Sequence, residues 1–163
     1  MSAPHKYDQV GPDGIDTANI TDWKNKDVTL YAEETIAVGA SVAIDVGSST
    51  HGLGKSVINA SNAAVERACV IGVALEAVTT AGFINVRVAG YYGSVACLTG
   101  VAAGDGLVAS ATAGSVVDPV TLIAAALEPD IEYASEARVM GIALTPVVSS
   151  ACEALLFDPG CFG

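Results

Sequence analysis

Gly54-Lys55-Ser56, closing the stretch VGSSTHGLGKS, is the place in the chain where residue type and spacing most suggest phosphate chemistry. A phosphate-binding loop wraps backbone N–H groups around an anion, and its pattern is Gly, four residues, then Gly-Lys-Ser/Thr. Counting back from Gly54, the position for the first glycine holds Ser49, and Gly47 comes two residues too early. The helix whose N-terminus should receive the phosphates would begin with VINASNA, where Val57, Ile58 and two Asn make a poor helix start. Asp45, the acidic residue that could serve magnesium, precedes the loop instead of following it at a distance. The matching place later in the chain reads VASATAGSVVDP and has no Gly-Lys at all. Gly-Lys-Ser therefore reads as part of a connection between strands.

Other chemistry finds less support. A Ser-His-Asp arrangement would have to recruit His5 or His51 from polar segments, and nothing resembles the strained turn that carries such a nucleophile. Cys69, Cys97, Cys152 and Cys161 form no CxxC pair and match no zinc-site spacing, so they read as free, mostly buried thiols. GPDGID, Gly11 to Asp16, lacks the spacing of a calcium loop. Glu76, Glu128, Glu132 and Glu153 are carboxylates that folding could bring together, but nothing in their spacing requires it. The expectation is a protein that is not an enzyme, with no catalytic residues, no metal and no cofactor.

The elements that would have to position any site are suggested by composition. The 163 residues are of single-domain length and can bury a core without metals or disulfides. Hydrophobic residues make up 52%, mostly Ala, Val, Ile and Leu, with 17 Gly and 6% aromatics, which suits short strands and tight turns. No apolar run reaches the roughly 18–20 residues of a membrane span, and MSAPHKYDQVG lacks the apolar stretch of a signal peptide. The chain reads as soluble, unexported and without a membrane partner. Its net charge is −11, and the few Lys and Arg are scattered, which argues against direct binding to nucleic acid.

Along the chain, residues 1–27 are polar, hold the only Trp, and show neither helical nor strand periodicity; they read as an extended N-terminal arm. From residue 28 to 163 the pattern is that of a β-domain. In VTLYAEE, Val28, Leu30 and Ala32 oppose Thr29, Tyr31 and Glu33; in SVAIDVG, Val42, Ile44 and Val46 oppose Ser41, Ala43 and Asp45. FINVRVAG is the clearest strand, with Ile84, Val86 and Val88 on one face and Asn85, Arg87 and Ala89 on the other. Ile58 to Ala68 has the pattern for one or two helical turns.

A repeat organises this domain, spanning about residues 34–90 and 98–160. ACVIGVALEAV (Ala68 to Val78) aligns without a gap on ARVMGIALTPV (Ala137 to Val147), with identity at six of eleven positions. TIAVGASVAID and TGVAAGDGLVAS precede the two copies, each with a glycine turn entering a Val-rich strand. The expected fold is all-β: a compact antiparallel β-barrel or sandwich built of two similar halves, with at most one or two short helices and the IGVAL-type segments as paired core strands.

Three pieces, KYDQVGPDGID, the glycine-turn strands ETIAVGASVAID and GVAAGDGLVAS, and the hairpin VIGVALEAVTTAGFINVRVAGYYGSV, resemble a family of bacteriophage capsid decoration proteins, also called cement or head-stabilising proteins. The resemblance runs from about Lys6 to Gly90 and more loosely to Gly160. The chain departs from the pattern in the Trp-containing stretch between Asp16 and Val28 and in the inserted SSTHGLGKSVINASNAAVE.

The resemblance implies a structural virion protein, made in the host cytoplasm, that binds the outer surface of the expanded capsid. It implies the major capsid protein as partner, and capsid symmetry suggests a homo-oligomer, with a trimer expected. Tyr7, Asp16, Trp23 and Lys24 of the arm are the expected interface residues, with packing on its own domain the other role for Trp23. The alternative is a β-domain of a phage fibre or adhesin that binds a host receptor or glycan. Its candidates are Tyr91 and Tyr92, at the end of the FINVRVAG strand, whose other role is packing of a turn.

Overall fold

The computed structural model describes residues 25–47, 55–61, 69–120 and 139–157. They form nine strands: β1 (Lys26–Ala32), β2 (Ser41–Ile44), β3 (Ser56–Asn59), β4 (Val70–Ala74), β5 (Gly82–Ala96), β6 (Gly106–Ala109), β7 (Val116–Val117), β8 (Gly141–Ala143) and β9 (Ala151–Leu156). The first five close into a barrel in the order β1-β3-β2-β4-β5, with β5 returning to pair β1. The sheet then continues from β5 through β9, β8 and β6 to β7. The class is all-β, as the alternation implies.

The second half repeats the pairing of the first. β2 pairs β3 and β4, and β4 pairs β5; β6 pairs β7 and β8, and β8 pairs β9, all antiparallel. Loop hydrogen bonds repeat as well: Gly39 N–H donates to Ala74 O at 2.9 Å and Gly104 N–H to Ala143 O at 2.8 Å. Leu75 N–H reaches Asn85 O at 2.9 Å, and Leu144 N–H reaches Glu153 O at 2.7 Å.

The two halves are joined through β5, whose 15 residues serve both. Its first part pairs β1 and β4, and from Gly90 to Ala96 it pairs β9. The second half closes where Cys97 forms a parallel bridge with Val116. Two cores follow from this plan. Val42, Val57, Ile84, Val86 and Val88 fill the first barrel, and Val95, Leu107, Val116, Ala143 and Ala154 fill the second half. β4 serves both: the register shifts between Val42 and Ala43, so that β4 holds an extra residue and sends Val70 and Val73 to the second core and Ile71 and Ala74 to the first. This explains why all five of its residues are buried.

Gly72 and Gly141 occupy the same position in the two IGVAL-type copies. A Cβ on Gly72 would overlap the Arg87 carbonyl oxygen, and one on Gly141 the Leu155 carbonyl oxygen. Each glycine thus lets the neighbouring strand, β5 or β9, close in on the repeat.

Several expectations need correction. The fold is not wholly antiparallel, because β1 and β3 run parallel, pairing Tyr31 with Ser56 and Ala32 with Val57; closing a ring of five strands leaves one pair with matching directions. The IGVAL-type segments do not pair with each other, since each lies between strands of its own half. Ile58 and Asn59, read as the start of helical turns, belong to β3, where Val42 and Ala43 offer them backbone partners. β1 begins at Lys26, ahead of the arm boundary at residue 27. Ala43, assigned to the polar face of its strand, is buried in the second core, because the other half of the molecule covers that face.

Candidate interface site at the barrel junction

The residues at the start of β1 come together with β5 where that strand passes from one half to the other. Gly90 adopts φ +102°, a conformation that L side chains avoid, and a Cβ there would overlap Asn25. The strand is therefore not closed by Gly90 but re-aimed by it, and Tyr91 and Tyr92 lie in the middle of β5. Asn25, the residue just before β1, accepts the Tyr91 N–H on its Oδ1 at 3.1 Å.

Arg87 ties the same corner from the other side. Its Nε donates to Asp27 Oδ1 at 2.8 Å and its Nη2 to Asp27 Oδ2 at 3.0 Å, while Nη1 donates to the Tyr91 carbonyl at 2.8 Å. The hydrogen bonds it donates to the Asp27 carboxylate hold the Arg87 guanidinium above its ordinary range despite partial burial. The planar fork uses both prongs on one carboxylate, a geometry that an ammonium cannot reproduce. The start of β1 is thus fixed to β5 by Asn25, Asp27, Arg87 and Tyr91.

Both junction tyrosines are half-buried. Burial raises the Tyr91 hydroxyl above its ordinary value, and the charge of Glu153 and a hydrogen bond to its carboxylate raise it further. Tyr92, which packs against the second core, is raised by burial, with the positive charge of Arg87 opposing. Tyr7, Asp16, Trp23 and Lys24 lie outside the described residues.

A second surface feature was not singled out from sequence. Phe83 is 76% exposed and meets Tyr31 edge-on, ring centroids 5.5 Å apart. The signal was present in FINVRVAG, where Phe83 falls on the polar face with Asn85 and Arg87. Asp27 and Arg87 had no such signal, because their meeting depends on the pairing of β1 with β5.

Lys55 is exposed, and Ser56 opens β3, not a helix. The Lys55 carbonyl accepts Tyr31 N–H at 3.1 Å, and the Ser56 carbonyl accepts Asp45 N–H at 2.9 Å. Ser56 thus begins a paired strand, and the rest of the stretch, residues 48–54, lies outside the described residues. Among the described residues no three His, Cys, Asp or Glu side chains gather where they could hold a metal ion, and no helix is long and apolar enough to cross a membrane.

No protein-family model matches the chain, and no curated protein matches it. Among solved structures it is similar to the N base of the head fiber protein gp8.5 of bacteriophage phi29, with a TM-score of 0.51 and 15% identity. The likeness covers 82% of this chain and 94% of that one. At that identity it is a likeness of fold.

Proposed function

We propose that this chain is a non-enzymatic structural protein of a phage virion, made in the host cytoplasm, which binds the outer surface of the expanded capsid and cements neighbouring major capsid protein subunits. The carrying observation is the likeness of its fold to the base of a phage head fibre over most of both chains. An arm rooted by Asn25 and the Asp27–Arg87 pair fits this reading, since a segment that leaves from a fixed point can lie along a neighbour and order on it. Anything that binds only the assembled shell stabilises it by linkage, and many weakly bound copies act together. A homo-oligomer, with a trimer as the starting expectation, fits the symmetry of such shells. Neither nucleic acid nor membrane is a proposed partner.

The phi29 likeness also favours a second reading, because the similar protein is named for a fibre. In that reading the chain is the β-domain of a fibre that binds a host receptor or glycan, and the exposed Phe83 beside Tyr31 is the kind of aromatic surface it would use.

Co-sedimentation with expanded shells that lack the protein separates the two. Cementing predicts saturable binding at a simple multiple of the shell's symmetry and greater heat resistance, with both lost in a chain that starts at Asn25. No binding to the cognate shell, together with binding of the isolated chain to host cells or their glycans, would establish the fibre reading instead.

A further inference from the structure

The second half of the molecule holds a pair of sulfurs that the first half lacks. Cys97 and Cys152 are each 3% exposed, and their Sγ atoms stand 2.9 Å apart. The repeat identifies their counterparts. The parallel bridge of Cys97 to Val116 corresponds to that of Ala32 to Val57, so Cys97 stands where the first barrel has Ala32. The carbonyl that accepts Leu144 N–H belongs to Glu153, and the one that accepts Leu75 N–H belongs to Asn85. Cys152, one residue earlier, therefore stands where the first barrel has Ile84. Ala32 and Ile84 are fully buried members of one apolar core. Packing at this point thus needs no sulfur, yet the second half places two there in contact.

We propose that Cys97 and Cys152 form an oxidisable pair that closes to an intramolecular disulfide, stapling the end of β5 to β9. A disulfide bond is about 2.0 Å long, so from 2.9 Å the sulfurs have about 0.9 Å to travel. The strands already hold the partners in place: Val95 pairs Cys152, Ala96 pairs Ala151, and Cys97 N–H donates to Ser150 O at 2.9 Å. The hydrogen bond between the sulfurs pushes Cys97 up and Cys152 down, which makes Cys152 the more easily ionised member.

Hydrogen peroxide is a suitable oxidant because it is small enough to reach a buried thiol during local opening. The Cys152 thiolate attacks one peroxide oxygen, the O–O bond breaks, and a sulfenic acid and hydroxide form. Cys97 Sγ then attacks Cys152 Sγ, the S–O bond breaks, and the leaving hydroxyl departs as water with one proton. That proton comes from Cys97, and the proton that Cys152 gave up on ionising neutralises the hydroxide of the first step. Two thiols and one peroxide yield one disulfide and two waters. This closure does not depend on the virion reading.

The test treats the full chain with hydrogen peroxide, removes the excess with catalase, and unfolds and alkylates it before intact-mass and peptide analysis. The expected result is a chain 2 Da lighter before alkylation, two fewer alkylated cysteines, and a peptide linking Cys97 to Cys152 that dithiothreitol releases. The closed loop spans 55 residues, so the oxidised chain should melt about 5–10 °C higher than the reduced one. Cys97→Ala is a variant that can be expected to fold, since Ala32 fills the equivalent place, and it should show neither the link nor the rise. Full alkylation of Cys97 and Cys152 after peroxide, or links that join either of them only to Cys69 or Cys161, would overturn the proposal.

Discussion

Arg87 and Asp27, 60 residues apart in sequence, meet in a two-pronged ion pair at 2.8 and 3.0 Å. The third contact of the guanidinium, to the Tyr91 carbonyl at 2.8 Å, ties the start of β1 to the turn in β5. Arg87 is the less exposed partner, 16% against 41% for Asp27. Arg87→Ala should therefore destabilise the chain by about 1–2 kcal/mol, and Arg87→Lys, which cannot form the fork, by about 1 kcal/mol. Urea unfolding of the variants checks both. If the pair also roots the arm for capsid binding, Arg87→Ala should weaken co-sedimentation with shells under conditions where the variant stays folded.

Alkaline pH should weaken the fold through Tyr91 and Tyr92. Both hydroxyls are raised above the ordinary value of 10.0, first by burial. The folded state thus holds these protons more tightly than the unfolded state does. Their contribution is complete below about pH 10 and is lost as pH rises through the higher folded value. Thermal melts between pH 8 and 11 should show the decline, and Tyr92→Phe, which removes the ionisable group, should make it shallower.

Gly72 and Gly141 offer a paired test of the repeat. An added methyl at either position meets a backbone carbonyl of the adjoining strand, which cannot rotate away as a side chain would. Gly72→Ala and Gly141→Ala should each cost about 2–3 kcal/mol, with chemical denaturation as the measurement. A neutral result at either site would mean that β5 or β9 can draw back from the added methyl without cost.

The β8–β9 hairpin turns through Ser149 and Ser150 with φ of 52° and 65°. Val148 and Ala151 exchange both backbone hydrogen bonds across it, at 2.8 and 3.1 Å. Such a two-residue turn favours Asn-Gly, because both central residues take positive φ. The double substitution Ser149→Asn with Ser150→Gly should raise stability by about 1 kcal/mol, read as a higher melting temperature.

The alternation of FINVRVAG was legible in the sequence because a strand buried on one face must alternate: Ile84, Val86 and Val88 are fully buried and Asn85 is exposed. The matching copies around Gly72 and Gly141 were legible for a similar reason, since equal packing demands keep similar residues at equal positions. SVAIDVG misled, because Ala43 faces the other half of the molecule and not water. A period of two reports burial on one face only where the opposite face is free. Gly90 misled in the same way: a glycine at a strand end and a glycine that turns a continuing strand look alike until Asn25 is placed against it.

The amino-acid order by itself determined the class, most of the strand segments and the division into similar halves. Each of these depends on neighbours within a few residues, or on composition. Tertiary structure decided the rest: that β5 is shared between the halves, that β1 and β3 run parallel, that Asp27 finds Arg87, and that Cys97 finds Cys152. These are pairings between residues tens of positions apart, set by which strand lies beside which. Strand order is a choice among whole-chain arrangements that bury similar apolar surface, and no local pattern encodes it.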